Sequence, residues 1–294
     1  PRNKYLYCLN SANFDRFIYG KCIQWIPDFQ YVYYPQYFRP EEIEHRNNNY
    51  GKIANKKGYL VLSSQTCKQD FVKQFPNYRT NIFVVPFVSY IETEVMSMND
   101  TLEEQVLEKH NLIKNQYIYI PNQFWKHKNH IVVFEAIKLL VSRLKEEAFS
   151  CRFVFTGELR DYRNPEYIEK IKNLFMDPQI KDFVMNLGFL PRSEQLIIMK
   201  NAKLLIQPSL FEGWGTVLED AKVLDKKVLL SDIPVHREQK NDNCVLFDPQ
   251  DANALVEALL ETIDHEYISD INRGICEMRK SAELYSKELE RLFK

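Results

Sequence analysis

Residues 207–222, Gln207-Pro-Ser-Leu-Phe-Glu-Gly-Trp-Gly-Thr-Val-Leu-Glu-Asp-Ala-Lys222, decide how this chain is read. An apolar run ends at Gln207, a turn holds Glu212, Gly213 and Gly215, and a helix is predicted from Thr216 to Leu224. The first N–H groups of a helix lack intrahelical partners and carry the positive end of its dipole, so such a strand–turn–helix can hold a phosphate. Glycines let a ligand approach the backbone closely. Glu212 can accept hydrogen bonds from sugar hydroxyls, and Glu219 and Asp220, one to two turns into the helix, are within reach of a ribose. The same residues also read as a plain glycine turn followed by a solvated acidic helix face.

The flanking sequence alternates strand with helix. Strands are predicted at 116–121, 151–156, 183–187, 202–207, 227–231 and 244–247, and helices at 129–144, 165–176, 193–200 (with Ser193 as N-cap), 216–224 and 251–263. Alternation at this spacing means βαβ units, a mainly parallel sheet and an α/β fold. Glycine is scarce, 8 in 294 residues, against roughly 7% in average usage. Gly157, Gly188, Gly213 and Gly215 all fall near predicted strand ends, where ligand loops of open α/β sheets lie.

The first half is less regular. Strands are expected at 21–25, 58–62 and 81–85, helices at 41–55 and 66–75, a polar irregular linker edge at 90–100, and a charged closing helix at 282–294. Three strands are few for a doubly wound domain, and the chain starts with Pro1, so an upstream part is expected to be missing. The length suggests two domains, placed at 1–115 and 116–272, with 273–294 as a closing C-terminal helix.

Lys and Arg number 39 against 40 Asp and Glu, a net charge of -1, which argues against a chain-wide nucleic-acid footprint. No apolar run reaches the ~20 residues of a membrane span, and no signal peptide is visible. Six scattered cysteines without a CxxC pair argue against a zinc site or a disulfide framework and read as reduced cytosolic thiols, mostly core filler.

Phe211-Glu-Gly-Trp-Gly215, the acidic pair Glu219-Asp220 and Ser231-Asp-Ile-Pro-Val-His-Arg-Glu238 resemble the retaining glycosyltransferases of family 4. These have the GT-B fold, two Rossmann-like domains with mainly parallel sheets and a cleft between them. Tyr119-Ile-Pro-Asn-Gln-Phe-Trp-Lys-His-Lys-Asn-His130 resembles their first donor-binding loop. Trp25-Ile-Pro-Asp-Phe-Gln30 and Val61-Leu-Ser-Ser64 resemble segments of their N-terminal domain. The family's two glutamates eight positions apart fall on Glu212 and Asp220, with Glu219 just before, and either acid is a candidate for the second role. Its Arg–Lys pair on the donor diphosphate falls on Gln123, which carries no charge, and Lys128; Lys126 and Arg192 are candidates for the missing cation. The resemblance implies Glu212, Lys128 and Asp28 as catalytic residues. It implies donor binding by Gln123, Lys128, Gly157, Glu212, Gly213, Trp214, Gly215, Thr216, Glu219 and Asp220.

The implied activity is sugar transfer from a nucleotide-diphosphate sugar to a hydroxyl with retained anomeric configuration, in bacterial surface polysaccharide or glycolipid assembly. No metal and no cofactor is expected, the donor being a substrate. The expected acceptor is a glycan or lipid-linked glycan, the location cytoplasmic, with peripheral membrane contact left open. The glycine-rich first loop that the resemblance implies does not appear before Lys21, as expected if an upstream part is missing. A non-catalytic nucleotide-sugar-binding subunit and a nucleotide-sugar 2-epimerase are the alternatives. Ser63 and Ser64 read as a helix cap or as cleft residues. His127, His130 and His236 read as solvated loop groups rather than bases, and the aromatics of Tyr31–Phe38 as packing before an acceptor platform.

Overall fold

The computed structural model describes residues 5–9, 21–143, 151–265 and 267–293. The chain divides into two compact units. The first holds the described residues up to Val88 together with Glu212–Gly215 and the chain from Arg279; the second holds Ser89–Phe211 and Thr216–Met278. Residues 89–115, given to the first domain by the sequence reading, thus pack with the second unit.

In the first unit β1 (Tyr5–Leu9), β2 (Lys21–Ile26), β3 (Tyr59–Leu62) and β4 (Asn81–Val84) form a parallel sheet in that order. β1 adds a strand to the three expected. Strand alternation sorts the side chains into two layers. Ile26, Leu60 and Leu62 pack with Phe29, Tyr31, Phe38, Tyr50, Ile53 and Phe71, while Ile23 and Val61 pack with Val85 and Leu292. Helices α1 (Gln30–Tyr33), α2 (Pro40–Asn55) and α3 (Gln65–Gln74) complete this layer. Ser64 caps α3, its hydroxyl accepting from Cys67 N at 2.9 Å, one of the two roles its position allowed. Of the aromatic stretch, Tyr31 and Phe38 are packing, buried in this core, whereas Tyr33 is exposed and Tyr34 and Tyr37 are half-buried.

The second unit starts with α4 (Glu92–Met96) and α5 (Asp100–Lys109). The first corrects the expected irregular linker, and the second is capped by Asn99 Oδ1, which accepts from Leu102 N at 2.9 Å. There follow β5 (Tyr117–Pro121), α6 (His130–Arg143), β6 (Arg152–Thr156), α7 (Pro165–Phe175), β7 (Val184–Asn186), α8 (Arg192–Asn201), β8 (Leu204–Gln207), α9 (Thr216–Val223), β9 (Val228–Ser231), α10 (Pro234–Gln239), β10 (Cys244–Phe247), α11 (Ala252–Ile263) and α12 (Ile271–Phe293). The six strands pair in parallel in the order β10-β9-β8-β5-β6-β7. β5, β6, β8 and β9 read as near-continuous apolar runs because helices cover both faces of such a sheet. Ile118 and Ile120 face a core of Phe124, Phe134, Phe155, Ile171 and Leu259.

Two helix expectations are corrected. α8 begins at Arg192 with Pro191 as N-cap residue, so Ser193 lies inside the helix and caps nothing. α12 begins at Ile271, two residues before the closing helix placed at 273–294 and eleven before its charged stretch at 282. The glycine that interrupts its pattern is required, because a Cβ on Gly274 would stand 2.1 Å from the Val223 carbonyl oxygen. Cys67 and Cys151 are buried as expected of core filler, but Cys276 is exposed and Cys244 half-buried.

Candidate functional site in the second unit

The chain leaves β5 for β6 and β7, then returns to place β8 on the other side of β5. Open α/β sheets bind ligands outside the carboxyl ends of the strands at such a reversal. The loop after β5 carries Gln123, Lys126 and Lys128; the loop after β8 leads to α9. The two loops are bonded together: Leu210 N donates to His127 O at 2.8 Å, and Asn129 Nδ2 donates to Pro208 O at 3.1 Å and Pro249 O at 2.8 Å. Asn129 sits in the left-handed region, φ 57°, directly after the 3-10 turn that presents half-buried Lys128.

The turn after β6 is locked to the same loop. Gly157 has φ 139°, and a Cβ there would stand 2.4 Å from the Asn122 carbonyl oxygen, so glycine is required. Gly157 N donates to Gly188 O at 2.8 Å, joining the ends of β6 and β7. Gln123 Oε1 accepts from Glu158 N at 2.7 Å, which leaves the amide N–H group as that side chain's donor end. Asp161 accepts from Lys126 N at 3.1 Å and from Arg163 N at 3.0 Å. The sequence reading missed Asp161, whose position four residues beyond Gly157 carries no motif.

Glu219 and Asp220 on α9 are both buried and both partnered. Arg192 grips Asp220 with both arms, NH1 to Oδ2 at 2.6 Å and NH2 to Oδ1 at 2.5 Å, and the Ser89 hydroxyl donates to the same carboxylate. Glu219 accepts from Gln239 Nε2 at 2.7 Å and from Lys222 Nζ at 2.8 Å. Arg192 is therefore bound to a carboxylate rather than held apart as a second phosphate cation. Ser89, Arg192 and Gln239 lie 131, 28 and 20 residues from their acids, too far apart for spacing to reveal the pairings. Beneath them the Tyr119 and Thr156 hydroxyls share a buried hydrogen bond of 2.7 Å. Burial raises the Tyr119 pKa, so its hydroxyl stays neutral.

The segment Glu212–Gly215 groups with the first unit. A Cβ on Gly213 would lie 2.4 Å from the Pro27 carbonyl oxygen and 3.1 Å from Asp28 Cβ. Its missing side chain therefore serves contact with this strand end, a packing reason for glycine beside the one the sequence offers. Ser63 Oγ donates to Gly213 O at 3.3 Å, and Trp214 Nε1 donates to Phe87 O at 2.9 Å. Asp28 Oδ1 accepts from Gln30 N at 2.9 Å, the turn that opens α1. Glu212 is half-buried and Thr216, the first residue of α9, is exposed.

Two of the three histidines are not the solvated groups expected. His236 is buried with Nδ1 2.9 Å from Ser231 O. His130 is fully buried and stacks on Phe124 at 4.4 Å; burial pushes its pKa down to about 3. An unfolded histidine titrates near 6.5, so between pH 6.5 and about 3 the unfolded chain holds a proton that the folded chain lacks. Stability then falls as pH falls through this window, by up to about 1.4 kcal/mol per pH unit from this group. Urea unfolding of wild type and His130→Gln at pH 7 and pH 5 checks this, the variant being expected to lose the smaller fraction of its stability. Among the described residues no group of three His, Cys, Asp or Glu is placed to hold a metal, and no helix is long and apolar enough to cross a membrane.

Comparison with known proteins agrees with this geometry. The O-antigen chain mannosyltransferase RfbU of Salmonella typhimurium is 25% identical over 146 residues, 50% of this chain and 38% of that protein. The chain thus spans well under half the length of this curated relative. Among solved structures, a sucrose-phosphate synthase from Thermosynechococcus elongatus superposes with TM-score 0.72 at 15% identity, over 99% of this chain and 73% of that one. A UDP-forming α,α-trehalose-phosphate synthase from Burkholderia xenovorans gives TM-score 0.73 at 11% identity, over 94% and 68%. Anabaena HepE, solved in complex with UDP, gives 0.67 at 13%, over 93% and 72%. These likenesses establish the GT-B type of fold. The family profile for glycosyl transferases group 1 matches residues 103–289, most of the chain and nearly all of the second unit, and the chain belongs to that family.

Proposed function

We propose that the chain is a retaining glycosyltransferase of family 4 that moves a sugar from a nucleotide-diphosphate sugar to a hydroxyl of a glycan or lipid-linked glycan. The observation that carries this reading is the pair of hydrogen-bonded loops after adjacent strands β5 and β8, one presenting Lys128 and the other leading into α9. An ammonium group and a helix start are suited to charge growing on a departing diphosphate, and such preorganised electrostatics is usually the largest catalytic contribution.

In this reading the bond from the anomeric carbon to the diphosphate oxygen breaks and its electron pair leaves with the diphosphate. The acceptor oxygen bonds the anomeric carbon on the same face, and its proton passes to the leaving phosphate. Gln123 donates to the diphosphate, Glu212 grips the sugar hydroxyls, and Asp28 serves on the acceptor side. The Arg192–Asp220 pair ties α8 to α9, and the acidic pair Glu219–Asp220 at this position serves the ribose. No metal is required. RfbU, an O-antigen chain mannosyltransferase, supports a role in bacterial surface polysaccharide assembly.

A thermal-shift screen of UDP-, GDP- and TDP-sugars tests the reading. A ligand that binds only the folded chain stabilises it by about 2.7 kcal/mol at a hundredfold excess over Kd. One nucleotide class is expected to raise the melting temperature, and NMR of the product is expected to show the donor's anomeric configuration kept. No shift with any of the three classes overturns the reading.

A further inference from the structure

Asp161 lies in the turn between β6 and α7 and is buried. Its two carboxylate oxygens serve different ends. Oδ1 accepts from Arg163 N at 3.0 Å, a bond local to the turn that leads into α7. Oδ2 accepts from Asn164 Nδ2 at 3.1 Å and also reaches out of the turn to Lys126 N at 3.1 Å, 35 residues back in sequence. Lys126 opens the 3-10 turn Lys126–Lys128, and Trp125 before it supplies no side-chain cap. The turn's own backbone bonds run from Lys128 N to Trp125 O and from Asn129 N to Lys126 O. They leave the first N–H group, that of Lys126, to be satisfied from outside the turn. The Asp161 carboxylate is that cap, and it comes from the neighbouring loop. A bond to an ionised acceptor is stronger than one between neutral groups. A second bond runs the opposite way between the same two loops, from Glu158 N to Gln123 Oε1 at 2.7 Å. On its far side the turn is held by the loop after β8, where Leu210 N donates to His127 O. Lys128 therefore stands on a turn clamped between the loops that follow the two neighbours of β5.

Resting on the donor reading above, we propose that Asp161 is a positioning residue of the transfer step. It acts through Lys128 rather than on the substrate: its carboxylate holds the Lys126–Lys128 turn so that the ammonium group meets the departing diphosphate. Electrostatic catalysis needs the charge to stand in place before the transition state forms. A displacement of about 1 Å can cost about 10²-fold in rate. The bonds to Arg163 and Asn164 alone would make Asp161 a turn residue, with no energetic coupling to Lys128. The bond to Lys126 N adds the coupling, and coupling is measurable.

Steady-state kinetics of wild type, Asp161→Ala, Lys128→Ala and the double variant, with the donor found in the screen, reads that coupling. Asp161→Ala is expected to lower kcat/KM by about 10- to 100-fold. In its background Lys128→Ala is expected to cost about tenfold less than in wild type, because the ammonium group is already out of place. Asp161→Asn keeps one acceptor oxygen for Lys126 N and is expected to recover part of the rate. It also takes the place of the alanine variant in the cycle should that variant not fold. Amide hydrogen exchange at Lys126 reads the bond without any turnover: slow exchange is expected in wild type and faster exchange in Asp161→Ala. Losses that simply multiply overturn the proposal, as do wild-type kcat/KM in Asp161→Ala and equal exchange at Lys126 in the two proteins. A wild-type chain that transfers no sugar is a different result, one that overturns the donor reading itself and this role with it.

Discussion

Replacing Lys128 by alanine is expected to lower kcat/KM for sugar transfer by about 10²–10³-fold, the ~2.7–4 kcal/mol typical of one lost preorganised donor at a developing anion. Lys128 is half-buried on a short 3-10 turn whose backbone is fixed on either side, Lys128 N donating to Trp125 O at 2.8 Å and His127 O accepting from Leu210 N at 2.8 Å. These backbone bonds fix the loop's course, and the unliganded melting temperature is expected to stay near that of wild type. Lys128→Arg keeps the charge and should recover part of the rate. Steady-state kinetics of the three proteins with the donor identified by screening makes the comparison. Equal kcat/KM in wild type and Lys128→Ala removes this residue from the mechanism.

Phe155→Ala is expected to be the most damaging change away from the site. Phe155 lies on β6, is fully buried, stacks on Phe134 at 4.9 Å with planes 3° apart, and meets Phe175 edge-on at 5.3 Å. Truncating a buried phenylalanine costs about 3–5 kcal/mol through lost transfer energy and the cavity left behind. For a chain of this size that corresponds to a fall in melting temperature of roughly 10 °C. Gly157 lies two residues further on, so donor affinity should fall with stability. Phe155→Leu, which refills most of the space, should recover much of both. Differential scanning calorimetry of the two variants decides it, and a melting temperature unchanged in Phe155→Ala contradicts the packing argument.

The strands were legible because the sheets are parallel and covered. Runs such as Tyr117–Pro121 and Val228–Ser231 have to be apolar on both faces, and the strand Cys244–Phe247 is found where its composition placed it. What escaped had local signals pointing elsewhere. The charged stretch at 282–294 marks only the later part of α12, whose earlier part carries Gly274 for the sake of the Val223 carbonyl, a neighbour about fifty residues away in sequence. α5 was missed within a polar stretch although Asn99, Leu102, Val106 and Leu107 carry a cap and a helical face. At the candidate site, motif spacing singles out Gln123, Lys128, Glu219 and Asp220 but carries no sign of their partners. Arg192 on Asp220, Gln239 on Glu219 and Glu158 N on Gln123 are tertiary pairings.

The position of β5 between β6 and β8 bears on how the chain is made. β6 emerges soon after β5, but β8 is completed only at Gln207, after β7 and two further helices. At about 5–20 residues per second of synthesis, one side of β5 stays without its neighbour for several seconds on the ribosome. A bare apolar strand edge is a template for association with other chains. Slowing or arresting translation before residue 207 should therefore raise the aggregation of nascent chains far more than an equal delay after it.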